Sequence, residues 1–142
     1  MILRNKTFIL INLCIPLILG LFIYLTSRNR TVLCDMFSSI GVELNSINYP
    51  EYIRNYGCDF LWAYSLYWGV YFWGILGEWK SVASLAGLVV IPFAITMELI
   101  QISKNLPGTF DVLDIGVVIF AIGLAVIIAL GANKRKSYGR RY

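Results

Sequence analysis

The segment "MELIQISKNLPGTFDVLDIG", residues 97–116, holds Glu98, Asp111 and Asp114, three of the eight acidic residues in a chain of 142. Gln101 follows Glu98 by three positions, the spacing that shares a face on a helix. Neighbouring carboxylates can do three kinds of chemistry. They can share a proton and act as acid and base, hold a divalent cation through oxygen ligands, or accept hydrogen bonds from a polar or cationic ligand. Residue types leave these three open. The chain contains no histidine, which removes the commonest general base and the commonest zinc ligand. Its cysteines, Cys14, Cys34 and Cys58, show no CxxC or similar spacing, so a zinc site is not expected, and no motif calls for another cofactor.

Composition says what must position these groups. The chain is 58% hydrophobic and 14% charged, with a mean hydropathy of +0.72. A soluble domain carries about a quarter charged residues, so membrane residence is expected, in one compact unit. Four apolar stretches approach the length of about 20 residues that a membrane-spanning helix needs. They cover residues 8–26, 58–76, 82–102 and 112–131. The expected fold is therefore all-α, a polytopic integral membrane protein with four transmembrane helices. The first stretch is long for the apolar part of a signal peptide and no A-x-A site follows it, so it is read as an uncleaved anchor.

Four spans place both termini on one side. That side would hold Arg4, Lys6, Lys80 and five basic residues of the tail 132–142, eight in all; the other would hold Arg28, Arg30, Arg54 and Lys104. The excess puts both termini in the cytoplasm of a cell-membrane protein. The basic tail then reads as a flank held near anionic lipid rather than as a nucleic-acid contact. The outer loop 27–57 spaces Leu33, Phe37, Ile40 and Leu44 by four, three and four, an amphipathic helix pattern. Cys34 and Cys58 share this outer face, where an oxidising compartment would permit a disulfide between them.

On this topology Asp59, Glu98, Asp111 and Asp114 meet at one membrane boundary. Local physics explains some of them. Asp111 fits an N-cap and Asp114 stands three residues later, as in a capping box; Asp59 opens a helix where the dipole favours a carboxylate. Glu98 resists that explanation, since it sits near a helix C-terminus and inside an apolar run, where ionisable residues usually face a cavity or partner. Pairing with Lys104 is its structural alternative. Span two adds an aromatic series in which Tyr64, Tyr67 or Trp68, and Tyr71 recur every three or four residues. That series suits helix packing, with Gly69 and Gly74 allowing close approach, or a stacking platform for sugar rings.

"DFLWAYSLY" from Asp59 and "ELIQISKNLPGTFDVLD" from Glu98 to Asp114 resemble the VanZ-like membrane family over roughly residues 57–125. The pattern is an acidic residue opening one helix, a Glu-x-x-Gln helix end, a Pro-Gly turn, a Phe-Asp pair and a further Asp opening the last helix. The resemblance implies ligand-binding roles for Asp59, Tyr67, Glu98, Gln101, Asp111 and Asp114, with Phe110 in the motif. Ala63, Thr109 and Val118 stand where the family usually has histidine, arginine and asparagine. The family takes its name from a protein giving low-level resistance to teicoplanin, a lipid-tailed glycopeptide. The function so implied is that of a bacterial membrane protein with an outward-facing acidic pocket, binding a lipid-linked or lipid-tailed envelope ligand and affecting teicoplanin tolerance. Its partners would be membrane lipids and that ligand. Two other classes stay open: an enzyme acting on a lipid-linked envelope intermediate, and a structural subunit of a membrane complex.

Overall fold

The computed structural model describes residues 6–27, 36, 38–41, 46–101 and 112–138, with backbone alone for 80, 84, 97–101 and 133–138. Helix α1 spans Lys6–Ser27, 22 residues without an acidic side chain and with Pro16 inside it. Proline removes one backbone hydrogen bond from a helix interior. In the preceding turn of α1, Asn12 Nδ2 donates to the Phe8 carbonyl at 2.9 Å. In the last turn of the helix the Thr26 hydroxyl donates to the Phe22 carbonyl at 2.7 Å and lies 2.9 Å from the Tyr49 hydroxyl. The Ile47 amide donates to the Thr26 carbonyl at 2.8 Å, so the incoming segment 46–50 is strapped to the end of α1.

Helical backbone resumes at Glu51 and passes through a π-helical turn, Ile53–Gly57, directly into α2, Cys58–Leu76. Gly57 keeps right-handed helical angles and no side chain caps the junction. Asp59 therefore sits within a continuous helical run, two turns from its start. After α2, Gly77 closes the helix by donating to the Trp73 carbonyl at 2.9 Å, and Glu78 turns the chain at φ 58°. A short α3, Lys80–Ser84, leads into α4, Ala86–Gln101, and the chain returns along α5, Val112–Tyr138.

Every regular element among the described residues is helical. Two segments, Lys6–Ser27 and Val112–Ala132, are long and apolar enough to cross a membrane, with mean hydropathies of 2.6 and 2.9. In α2 the tyrosines and tryptophans lower the hydropathy of an otherwise apolar helix of 19 residues. Helix α4, with 16 residues, reaches about 24 Å at 1.5 Å per residue, short of a hydrocarbon core of about 30 Å. In the loop 27–57, Ser38 and Ser39 are helical, Gly41 adopts φ 80°, and Ile40 is exposed. Leu33, Phe37 and Leu44 of the expected amphipathic stripe lie outside the described residues.

Helix α2 touches α1, α3, α4 and α5. Its centre is Trp68, fully buried, with edge-on contacts to Phe8, Tyr67 and Tyr71 at centroid distances of 5.7, 5.5 and 5.6 Å. The indole N–H makes no hydrogen bond of ordinary geometry, which costs about 1–3 kcal/mol in a buried site. Aromatic pairs contribute about 0.5–1.5 kcal/mol each beyond their burial, so three edge contacts offset that loss. Opposite α2, the buried Ala121, Ala125 and Ala129 of α5 recur every four residues, the small-residue stripe that lets apolar helices approach closely. At the far end Gly74 lies under α3, where an added Cβ would stand 2.6 Å from the Ala83 backbone nitrogen.

That approach gives a direct prediction. Gly74→Ala collides with backbone rather than with a movable side chain, and overpacking costs about 1–3 kcal/mol. Gly123→Ala meets open space and gains helix propensity. Thermal unfolding in detergent should show a lower midpoint for Gly74→Ala and an equal or higher one for Gly123→Ala.

Candidate functional site

Contacts between helices fix which ends lie together. Gly20, late in α1, packs under Trp62 of α2, while Phe8 meets Trp68, so α1 and α2 run antiparallel. Gly87, at the start of α4, lies near Tyr67 and near Ile122 and Val126 of α5; Phe60 meets Phe120 at 6.1 Å. The C-terminal end of α1, the start of α2, the end of α4 and the start of α5 thus share one end of the bundle. Asp59, Glu98, Gln101 and Asp114 belong to that end.

Asp59 is half-buried and stands at one end of an apolar groove of about 450 Å³. Leu13 and Leu17 of α1 form one wall, Phe93 and Ala94 of α4 the other, and Ala63, Leu66 and Gly69 of α2 the floor. Trp62 lines the groove near Asp59 because Gly20 has no side chain: a Cβ there would stand 2.6 Å from the indole nitrogen. Ser65 also lines it, but its hydroxyl donates to the Leu61 carbonyl at 2.8 Å. The polar character of the groove is therefore concentrated at Asp59.

Asp114 is half-buried in the first turn of α5. Val118, one turn later on the same face, lines the groove. Phe120 is level with Phe60, so at 1.5 Å per residue Asp114 stands roughly 8 Å beyond Asp59 along the bundle axis. The two carboxylates lie at one end of the bundle at different depths. Glu98 and Gln101 occupy the last two turns of α4 by backbone; their side chains, and the whole of Asp111, lie outside the described residues. Tyr67 is 4% exposed and packs on Trp68 and Tyr71. It lines neither this groove nor the second, smaller one, and serves the core.

Cys58 is buried against α1, its Sγ 3.5 Å from the Gly20 carbonyl oxygen; Cys34, its expected disulfide partner, lies outside the described residues. Among the described residues no three His, Cys, Asp or Glu side chains gather as metal ligands. No family model, curated protein or solved structure matches this chain.

One polar pair went unseen in the sequence. Tyr64 of α2 donates its hydroxyl to Asn12 Oδ1 of α1 at 2.5 Å, beside the second groove, of about 290 Å³, between α1, α2 and α5. Asn12 stands alone in an apolar run, and a polar side chain in that setting signals an interhelical partner. The pair ties α1, one wall of the Asp59 groove, to α2, its floor. Tyr64→Phe strands an acceptor and should lower the unfolding free energy in detergent by about 0.6–2 kcal/mol. A double-mutant cycle with Asn12→Leu checks it: the two losses should be less than additive, because the second change removes the stranded group.

Proposed function

We propose that this chain is a VanZ-like integral membrane protein with four spans and both termini in the cytoplasm, whose outward-facing acidic site binds a lipid-linked or lipid-tailed envelope ligand. Helix α2, with 19 residues, reaches about 28 Å, close to the hydrocarbon thickness of about 30 Å. The short α3 and α4 together carry the chain back across. Eight basic residues against four set the orientation, following the positive-inside rule.

The observation that carries this reading is Asp59 at the end of a groove with apolar walls. A carboxylate is costly at a membrane boundary among Leu and Phe side chains and is retained where it meets a ligand, a cavity or a partner. Asp114 opens α5 beyond the same entrance, and Glu98 and Gln101 end α4 at that end of the bundle. Such an entrance accepts a polar headgroup while the groove accepts its apolar tail. Binding at that place would withhold a lipid-tailed glycopeptide from the outer membrane surface.

Susceptibility of a sensitive Gram-positive host tests this. Expression of the chain should raise tolerance to teicoplanin, which has a lipid tail, and leave vancomycin, which lacks one, unchanged. Asp59→Asn and Asp114→Asn, at matched membrane levels, should each return teicoplanin tolerance to that of the host alone. No shift with the unaltered chain, or equal shifts for both drugs, would contradict the proposal.

A further inference from the structure

The Asp59 groove has a definite length. Its floor runs along α2 from Asp59 to Gly69, ten residues, or about 15 Å at 1.5 Å per residue. The hydrocarbon core of a bilayer is about 30 Å thick, so the groove is one leaflet deep. With α1 and α4 as walls and α2 as floor, its open side lies between α1 and α4. Leu88 and Val89 of α4, and Ile18 and Phe22 of α1, are exposed on the two wall helices, as side chains facing lipid tails are.

Its chemistry is graded in the same direction. The inner part is bounded by Leu13, Leu66 and Gly69, while Phe93 and Ala94, six and seven residues past Gly87 at the level of Tyr67, stand farther out toward Asp59. The outer part ends at a carboxylate. A charged acceptor at the mouth of an apolar slot complements an amphiphile with a positively charged donor at one end. An anionic headgroup would be repelled there, and an uncharged one would gain less. From depth, lateral opening and charge together, we infer that the groove binds one acyl chain of an amine-headed amphiphile from a single leaflet, with the ammonium on Asp59. This rests on the proposal that the Asp59 end of the bundle lies at a membrane boundary, and adds the headgroup charge and the seat of the chain.

Gly69 provides a clean way to close the slot. A Cβ at that position would lie 3.6 Å from Leu13 Cδ1, ordinary contact distance, so Gly69→Ala fits without strain while Gly69→Leu projects a branched side chain into the floor. At the mouth, Asp59→Asn keeps size and loses charge, and Asp59→Glu keeps charge.

The test uses the full purified chain in nanodiscs of phosphatidylcholine, whose headgroup has no N–H donor. The probes are a long-chain primary alkylamine with a diazirine on the chain, and the alcohol and fatty acid of equal length. After photolysis, mass spectrometry should place saturable labelling by the amine on groove residues such as Leu66 and Phe93. Asp59→Asn should weaken apparent affinity by at least about tenfold, the loss of one charge-assisted hydrogen bond, and Asp59→Glu should restore it. Gly69→Leu should abolish labelling where Gly69→Ala does not, at unchanged unfolding midpoints. Equal labelling by amine, alcohol and fatty acid overturns the inference, as does labelling indifferent to Asp59→Asn. Groove labelling that falls as protein density rises in the bilayer assigns the groove to a second copy and also overturns it. The outcome is separable from the tolerance experiment: amine binding without teicoplanin tolerance removes only the proposed function, and Asp59-dependent tolerance without amine binding removes only this inference.

Discussion

The burial of Trp68 against Phe8 sets the spacing of α1 and α2, and the other helices take their places from α2. In lipid, helices gain nothing from hiding apolar surface, so association rests on close packing and on the few polar groups that find each other. Trp68 supplies the packing through its edge contacts with Phe8, Tyr67 and Tyr71. Asn12 and Tyr64 supply the polar contact one turn away. Small residues do the rest: Gly20 under Trp62, Gly74 under Ala83, Gly87 against Val126.

The groove is a consequence of that arrangement. Large rings fill the α2 face turned to Phe8 and to α5, whereas Ala63 and Gly69 leave the neighbouring face low. With α1 pinned on one side and α4 packed on the other, the low strip of α2 becomes the floor of a slot. The π turn before Cys58 carries the helix beyond Asp59, so the carboxylate stands within a helical wall instead of fraying at its tip. A rigid element positions a charged group better than a loop does.

The helical class was legible because each apolar run is too long for a strand and bounded by polar or glycine-rich turns. The two helices with the highest hydropathy, α1 and α5, announce themselves in this way. The aromatic spacing of Tyr64, Tyr67, Trp68 and Tyr71 marked a packing face, and all four are buried. Other features had no local signature. Asn12 and Tyr64 are 52 residues apart, and nothing near either names its partner. Pro50 to Gly57 reads as loop, since a π turn has no hydrophobic period. The groove depends on Leu13, Leu17, Phe93 and Val118 from three further helices, and only the packing of the helices brings them together. Tyr67, singled out by family resemblance as a ligand contact, is absorbed by the core. Asp59 and Asp114 lie at one end of the bundle, as alternating antiparallel helices require once both residues begin apolar runs.

Orientation in the membrane decides whether this entrance faces the envelope. Glu51 and Glu78 are both exposed and stand beyond opposite ends of α2. In a chain with Cys14, Cys34 and Cys58 replaced by alanine, single cysteines at these positions report the orientation through a membrane-impermeant maleimide added to intact cells. The proposed topology requires that Glu51→Cys be labelled at once and Glu78→Cys only after permeabilisation. Labelling of Glu78→Cys in intact cells with Glu51→Cys protected would turn the Asp59 entrance toward the cytoplasm and contradict an outward-facing site.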